Sequence, residues 1–170
     1  MARVKPMGVV NSTDSEQIQY AIHPPSAYVL SHLGQLLPDW SVTASSMLLV
    51  LQRSPCALFD RTPQTEANKN RLRTQFLELG LHFAAILRDR GYAAEVFDPK
   101  TGLPMLSSPG ALVLDDVAIA RAVLGYATLN HGNCSILLHP TWGSAVYPST
   151  LISSAPCYVL AEIVNRSVGK

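Results

Sequence analysis

The stretch SSMLLVLQR at residues 45–53 decides the fold that this sequence predicts. A strand that is covered on both faces reads as a continuous apolar run of this length, so we predict a central strand here. The preceding stretch, QIQYAIHP at residues 17–24, has the alternation and β-branched content of a short strand. Pro24 and Pro25 end that strand, and the apolar spacing of residues 28–37 predicts a helix between the two strands.

The longest predicted helix begins after residues 54–60, which we interpret as a loop or as a second hairpin arm. Thr62 is suited to cap the N-terminus of this helix, and Pro63 suits its first position, where the missing N–H is not needed. Gly91 is suited to end it, because glycine readily adopts the left-handed conformation that follows many helices. The apolar residues in between keep helical spacing and predict one buried stripe: Leu72, Phe76, Leu79, Phe83, Ile86 and Leu87.

Shorter elements are predicted in the second half of the chain. AAEVF at residues 93–97 has the composition of a strand, and DPKTGLP at residues 98–104 has that of a turn. Asp115 and Asp116 favour the start of a short helix, because negative charge interacts favourably with a helix N-terminus.

The C-terminal third contains two strand-like segments, CSILLH at residues 134–139 and SAVYPST at residues 144–150, which the PTWG turn joins into a predicted hairpin. CYVLAEIV at residues 157–164 is consistent with a terminal helix or with another strand. This order of elements predicts an α+β fold, with a mixed sheet and packed helices, in a single domain over residues 17–170. We interpret residues 1–16, which are polar and unpatterned, as a flexible tail.

The composition argues against several classes of function. A net charge of +1 removes the electrostatic case for a nucleic-acid partner. No window approaches the run of about 18 apolar residues that a membrane span needs, and the N-terminal residues lack the apolar middle of a signal peptide. The 3 cysteines are an odd number without a CxxC motif, which favours a reducing compartment. We therefore expect a cytoplasmic protein without a membrane span.

The motifs of common enzyme classes are missing from the sequence. GxGxxG, GxxxxGK[ST], HExxH and GxSxG do not occur. His131, Cys134 and His139 form the only Cys/His cluster worth considering as a metal site. We assign no catalytic residue and no metal site, and we expect a protein that is not an enzyme.

Four stretches, taken together, resemble one protein family. They are YAIHPPSAYVLSHLGQLLPDW at residues 20–40, RDRGYAAEVFDPKTGLP at 88–104, VLGYATLNHGNC at 123–134 and ILLHPTWGSAV at 136–146. The order and spacing of GY, of a DP-x-[ST]-GL turn and of an H-x-x-WG turn are similar to those of the methylmalonic aciduria and homocystinuria type D protein (CblD) family. The resemblance extends over about residues 18–155.

The resemblance implies an α+β sandwich similar to that of flavin-dependent nitroreductases, in a branch that has lost flavin and catalysis. It implies a non-catalytic adaptor in cobalamin trafficking, which acts by contact with a cobalamin-processing or other protein partner. It also implies that no cofactor is bound stably, that contact with a corrinoid is transient, and that a homodimer is compatible with the fold. The leaderless, short chain resembles a bacterial member of the family.

Cys134 is the central candidate for cofactor binding. In animal members, two adjacent cysteines follow the glycine that matches Gly132, and the resemblance associates cobalt ligation with the first of them; this sequence has Asn133 and then Cys134 there. A shift of one residue along a strand turns a side chain to the opposite face. Cys134 is therefore either a soft thiolate for cobalt or a redox partner, or a buried small hydrophobe, and the high burial of free cysteine favours the latter. His131 and His139 are the neighbouring candidates for cofactor binding.

Trp142, Gly143 and Asn133 are the candidates for partner binding, because a tryptophan in a turn can stack on a ligand or a partner protein. Trp142 could equally close one end of the core. Two other classes of function stay open. One is an FMN-binding nitroreductase-like reductase, for which Lys69–Arg73 is the nearest candidate phosphate site. The other is a recruited assembly or scaffolding subunit without a corrinoid role.

Overall fold

A computed structural model describes residues 9–11 and 17–169. The helices are α1 (Ala27–Leu36), α2 (Pro63–Asp89), α3 (Asp116–Leu124) and α4 (Cys157–Val168). The strands are β1 (Val9–Asn11), β2 (Ile18–His23), β3 (Ser46–Arg53), β4 (Ala94–Val96), β5 (Ala127–His131), β6 (Cys134–Leu138) and β7 (Val146–Ser153). The predicted α+β class is confirmed. The tail predicted at residues 1–16 lies outside the described residues except at 9–11, which form β1.

Five of these strands form the main sheet, in the order β1-β2-β3-β7-β4, and β5 and β6 form a separate two-stranded sheet. Every pair among these strands is antiparallel, so the predicted mixture of parallel and antiparallel pairs is wrong. The helix α2 does connect two strands of the same direction, β3 and β4. However, β7 lies between them and pairs with both, so the two never become neighbours.

The central position of β3 is confirmed. It pairs with β2 on one side and with β7 along its whole length on the other. Residues 47–51 are all buried, because alternate side chains enter two different cores on the two faces of the sheet. One core lies under α2 and α4, and the other lies under α1, α3 and residue Leu137 of the hairpin formed by β5 and β6. The result is a three-layer arrangement with helices on both faces.

Local signals set the helix ends as predicted. Thr62 Oγ1 accepts a hydrogen bond from the backbone N–H of Thr65 at 3.1 Å, with Pro63 next to the cap. Asp115 Oδ1 accepts one from the N–H of Ala118 at 3.1 Å and begins α3. Gly125 ends α3 with a φ of 70°, a left-handed conformation that glycine adopts without strain. The two N-caps fix where α2 and α3 begin.

The predicted hairpin of CSILLH and SAVYPST is wrong. β6 pairs with β5 and not with β7, and the PTWG turn leads from the hairpin into the main sheet. The sequence predicts no strand at β5, because this exposed segment has only one large apolar residue, Leu129. Of the open alternatives, residues 54–60 form a loop and residues 157–164 lie in α4.

The short β4 leaves part of β7 without a strand on that side. β4 pairs with Leu151–Ser153, and the N–H of Phe97 donates to the carbonyl of Thr150 at 3.2 Å. Among the described strands, none pairs with the rest of β7 on this edge. Backbone groups point to one edge at every second residue, so Pro148 has the same orientation as Thr150 and removes a donor from the open edge.

Candidate functional site

A cavity of about 780 Å³ lies between the β5–β6 hairpin and the open edge of β7. It is lined by residues of the loop at 58–61, by Lys69 of α2, and by segments 99–102, 113–117, 131–137 and 146–148. This volume is typical of pockets that hold an organic ligand. Three of the predicted site residues, His131, Asn133 and Cys134, line it.

The tip of the hairpin is a two-residue turn. His131 pairs with Cys134, and Gly132 between them has a φ of 59°. A positive φ at the first central residue alone is the pattern of a type II′ turn, which suits the twist of a hairpin. Asn133 therefore lies in the turn and not in a strand. The strand alternation that we expected to separate the faces of residues 133 and 134 does not apply.

Cys134 is exposed, so the expectation of a buried small hydrophobe is wrong. Cys134 begins β6. Leu137 of the same strand is buried in the core, whereas the side chain of Cys134 lies on the cavity side. Arg61 Nη2 donates a hydrogen bond to Cys134 Sγ at 2.9 Å. The thiolate is the nucleophilic and metal-binding form of cysteine, and a guanidinium beside the sulfur interacts favourably with it.

A second contact holds the hairpin tip to the same loop. The rings of Phe59 and His131 lie with their centroids 4.3 Å apart. Together with the bond from Arg61 to Cys134, this contact joins the loop at 58–61 to both strands at the tip. Sequence reasoning missed Phe59 and Arg61, because more than seventy residues separate them from the hairpin and no motif includes them.

The two other cysteines have different surroundings. Cys56 is half-buried, and its Sγ accepts a hydrogen bond from Asn68 Nδ2 at 3.0 Å. Cys157 is half-buried at the start of α4, and burial raises the pKa of its thiol. Of the three thiols, Cys134 is the one that faces both solvent and the cavity.

His139 does not join His131 and Cys134. It is buried, and its Nδ1 accepts hydrogen bonds from the N–H groups of Thr141 at 3.0 Å and Trp142 at 3.1 Å. The proton is therefore on Nε2, which donates to Gln19 Oε1 at 2.8 Å. Burial lowers the pKa of His139, which favours this neutral form. In the part of the chain that the structure describes, no three His, Cys, Asp or Glu side chains are grouped to hold a metal ion.

Trp142 and Gly143 belong to the same turn as His139. The ring of Trp142 stacks on that of His139 at 4.1 Å between centroids and packs against the α1/α3 core. Gly143 has a φ of 59° and exchanges both backbone hydrogen bonds with His139. This packing supports one of the two roles predicted for Trp142, namely that it closes one end of the core. Contact of these residues with a partner stays a prediction.

Asp116 is a buried carboxyl group of the cavity wall, where the sequence predicted only a favourable charge at a helix start. It is 8% exposed, and its Oδ1 accepts a hydrogen bond from Thr150 Oγ1 at 2.7 Å. Burial raises its pKa to about 7; the bond from Thr150 opposes this shift, and the negative charges of Asp115 and Asp98 add to it. This carboxyl group therefore changes its charge near neutral pH.

The candidate phosphate site at Lys69–Arg73 is not assembled. Arg73 donates to Asp98 through both Nε at 2.7 Å and Nη2 at 2.6 Å, and these bonds lower the pKa of Asp98. Lys69 Nζ lies 3.5 Å from a carboxylate oxygen of Glu66. Two of the three cations of this segment, Lys69 and Arg73, are therefore paired with carboxylates, and the third, Arg71, is exposed. Asp98 also accepts from the N–H of Lys100, which confirms its predicted role in the turn.

The chain is similar to one family of known proteins. The family model described as "Methylmalonic aciduria and homocystinuria type D protein" matches residues 8–164. The protein named "Cobalamin trafficking protein CblD" is 21% identical in Rattus norvegicus and in Homo sapiens and 20% identical in Mus musculus, over 142 residues that cover 84% of this chain and 48% of each relative. The chain thus spans about half the length of these relatives. In the described residues, no helix has the length and apolar character needed to cross a membrane.

Proposed function

From the premise that this chain belongs to the methylmalonic aciduria and homocystinuria type D protein family, we propose that it is a non-catalytic adaptor in cobalamin trafficking that offers the Cys134 thiolate to corrinoid cobalt. The observation that carries the proposal is the place of Cys134, exposed on the wall of a ligand-sized cavity with a guanidinium on its sulfur. The relatives that it matches are named as cobalamin-trafficking proteins, which supports the cargo.

The chemistry of the sulfur suits this cargo. Thiolate is a soft ligand that binds transition-metal centres, and Cys134 Sγ accepts one hydrogen bond and keeps other lone pairs. Cys134 matches the second of the two adjacent cysteines of the animal members. Ligation from this second place is consistent with the structure, because Asn133 and Cys134 both line the cavity. The role requires no catalytic residue, because the thiolate would displace a water or hydroxide ligand of the cobalt and give up its place again on transfer, with no change of oxidation state.

The adaptor role requires a partner protein that receives or delivers the corrinoid. We place this contact at the hairpin tip and the cavity rim, where a partner would cover the exposed face of a corrinoid held by Cys134. The exposure of Val113 on the cavity rim and of Leu129 on β5 supports this placement, since both are apolar. We propose a cytoplasmic location, in keeping with the free thiol of Cys134.

The test is an anaerobic absorption titration with hydroxocobalamin and with cob(II)alamin. We expect the corrinoid bands to shift with wild type and with Cys157→Ala, and to stay unshifted with Cys134→Ala. Cys157→Ala is the matched control, because it removes a half-buried thiol that packs against the α2/α4 core, on the other face of the sheet from the hairpin. An equal shift with Cys134→Ala would reject cobalt ligation by this residue.

A parallel titration with FMN separates the reductase from the adaptor. Tight binding of FMN with flavin reduction by NADPH would favour the reductase. If neither corrinoid nor flavin binds, direct cofactor contact is rejected and the scaffolding role takes its place.

A further inference from the structure

Asp116 gives the cavity a polar group that the cobalt ligation by Cys134 does not use. It lies in the first turn of α3, more than nine-tenths buried, with its carboxyl group on the cavity wall. Oδ1 is engaged by Thr150, whereas no described side chain or backbone group bonds to Oδ2. The buried side-chain atoms that lack a partner do not include Oδ2, so this oxygen is not sealed inside the protein. It is therefore free to meet a ligand.

The surroundings of Asp116 contain negative charge as well as positive charge. Asp115 and Asp98 both raise its pKa, and Asp98 is itself paired with Arg73. Of the cations that line the cavity, Arg61 and Lys100 are exposed, and Lys69 is paired with Glu66. The other titratable groups of the wall are His131, Cys134 and Tyr147. A ligand group at Oδ2 thus meets a carboxyl that is neutral below about pH 7 and anionic above it.

A carboxamide fits both forms of this carboxyl group. Its carbonyl accepts a hydrogen bond from the protonated acid, and its N–H donates to the ionised carboxylate. A carboxylate ligand fits only the protonated form, because two anions in a buried site repel each other. We propose that Asp116 binds a carboxamide on the periphery of the ligand that enters this cavity. The inference rests on the proposed function, since corrinoids carry carboxamides around the ring.

The test uses corrinoids whose cobalt is capped by cyanide, so that Cys134 ligation does not contribute. Dicyanocobinamide carries carboxamides, and dicyanocobyrinic acid carries carboxylates in their place. Equilibrium dialysis at pH 6 and pH 8 measures the Kd of each. For wild type we expect the Kd of the amide to change by less than about threefold, and that of the acid to rise by about tenfold or more at pH 8, as expected for one lost contact.

Three variants assign these effects to Asp116. Asp116→Asn keeps a donor and an acceptor, so it should bind the amide within about threefold of wild type and remove the loss of the acid at pH 8. Asp116→Ala should weaken the amide by about tenfold, the value of one hydrogen bond. Asp89→Asn, which changes an exposed acid at the end of α2, is the charge control and should leave both ligands unchanged. Circular dichroism checks that each variant is folded.

The outcomes separate the two proposals. An unchanged amide Kd in Asp116→Ala, or an acid Kd in wild type that ignores pH, would overturn the carboxamide site and leave cobalt ligation by Cys134 intact. An absorption shift that does not need Cys134, with the dialysis results as expected, would instead reject the thiolate and keep Asp116. Absence of binding by dicyanocobinamide at any pH overturns the carboxamide site.

Discussion

Asp116 carries a buried carboxyl group whose pKa is raised by burial to about 7. An unfolded aspartate titrates near 4. Between these values the folded state holds a proton that the unfolded state releases, so the contribution of Asp116 to stability is fully present below about pH 4 and is lost as the pH rises to about 7. We predict that Asp116→Asn, which cannot ionise, is more stable than wild type at pH 8 by up to about 4 kcal/mol.

The measurement is the free energy of unfolding in urea at pH 5 and pH 8. The gain of Asp116→Asn over wild type should be larger at pH 8, because only wild type carries a buried negative charge there. Asparagine also keeps the oxygen that Thr150 bonds, so this hydrogen bond is retained at both pH values. Equal gains at both pH values would show that Asp116 titrates near the same pH folded and unfolded. Buried His23 and His139 give the opposite slope, since their lowered pKa values make stability fall as the pH drops below about 6.5.

At the scale of the element, Glu95 of β4 fixes the loop that leads to the cavity. Its side chain is fully buried, and Oε1 accepts hydrogen bonds from the N–H groups of Val96 and Met105, both at 2.9 Å, and of Leu106 at 2.8 Å. We predict that Glu95→Ala lowers the free energy of unfolding by about 3 kcal/mol, because three backbone N–H groups lose the buried oxygen that accepts from them.

Glu95→Gln is the matched variant, since it keeps one carbonyl oxygen in place. It should lose less stability than Glu95→Ala, although its amide N–H groups would take the place of Oε2, which has no partner among the described residues. Urea unfolding followed by tryptophan fluorescence measures both. A loss in Glu95→Gln as large as in Glu95→Ala would mean that packing, and not the accepted hydrogen bonds, sets the contribution of this residue.

Elements with local signals could be predicted, and those defined by contacts could not. Thr62, Pro63 and Gly91 mark the ends of α2 through their own backbone preferences. The pairing of β6 with β5 has no such signal, because β5 is exposed. In addition, β6 has a glycine turn on each side, at Gly132 and at Gly143, and the sequence does not show which turn forms the hairpin. The site was recognised at Cys134 by resemblance. Its exposure, and the contact with Arg61, depend on how distant segments pack.

At the scale of the whole molecule, β3 joins the two cores. Leu48 packs with the α2/α4 core and Leu49 with the α1/α3 core, one residue apart on the same strand. We predict that Leu48→Ala and Leu49→Ala each lower the free energy of unfolding by about 2–5 kcal/mol, and that each lowers the stability of both layers together.

Two probes check this coupling. Tryptophan fluorescence reports the α1/α3 side, against which Trp40 and Trp142 pack, while far-ultraviolet circular dichroism reports all four helices. The two urea transitions should coincide in wild type and in both variants. Separate transitions in Leu48→Ala would mean that the layers unfold independently and that β3 does not transmit the loss.

Pro148 has a consequence for self-association. The half of β7 that β4 leaves open is a sheet edge, and such edges attract foreign strands, which is one route to aggregates. A strand that added here would meet the proline ring in place of a hydrogen-bond donor, and one of its own backbone carbonyl groups would remain unpaired. The open edge of β7 can therefore stay accessible to a small molecule, although it is a poor template for an unfolded chain.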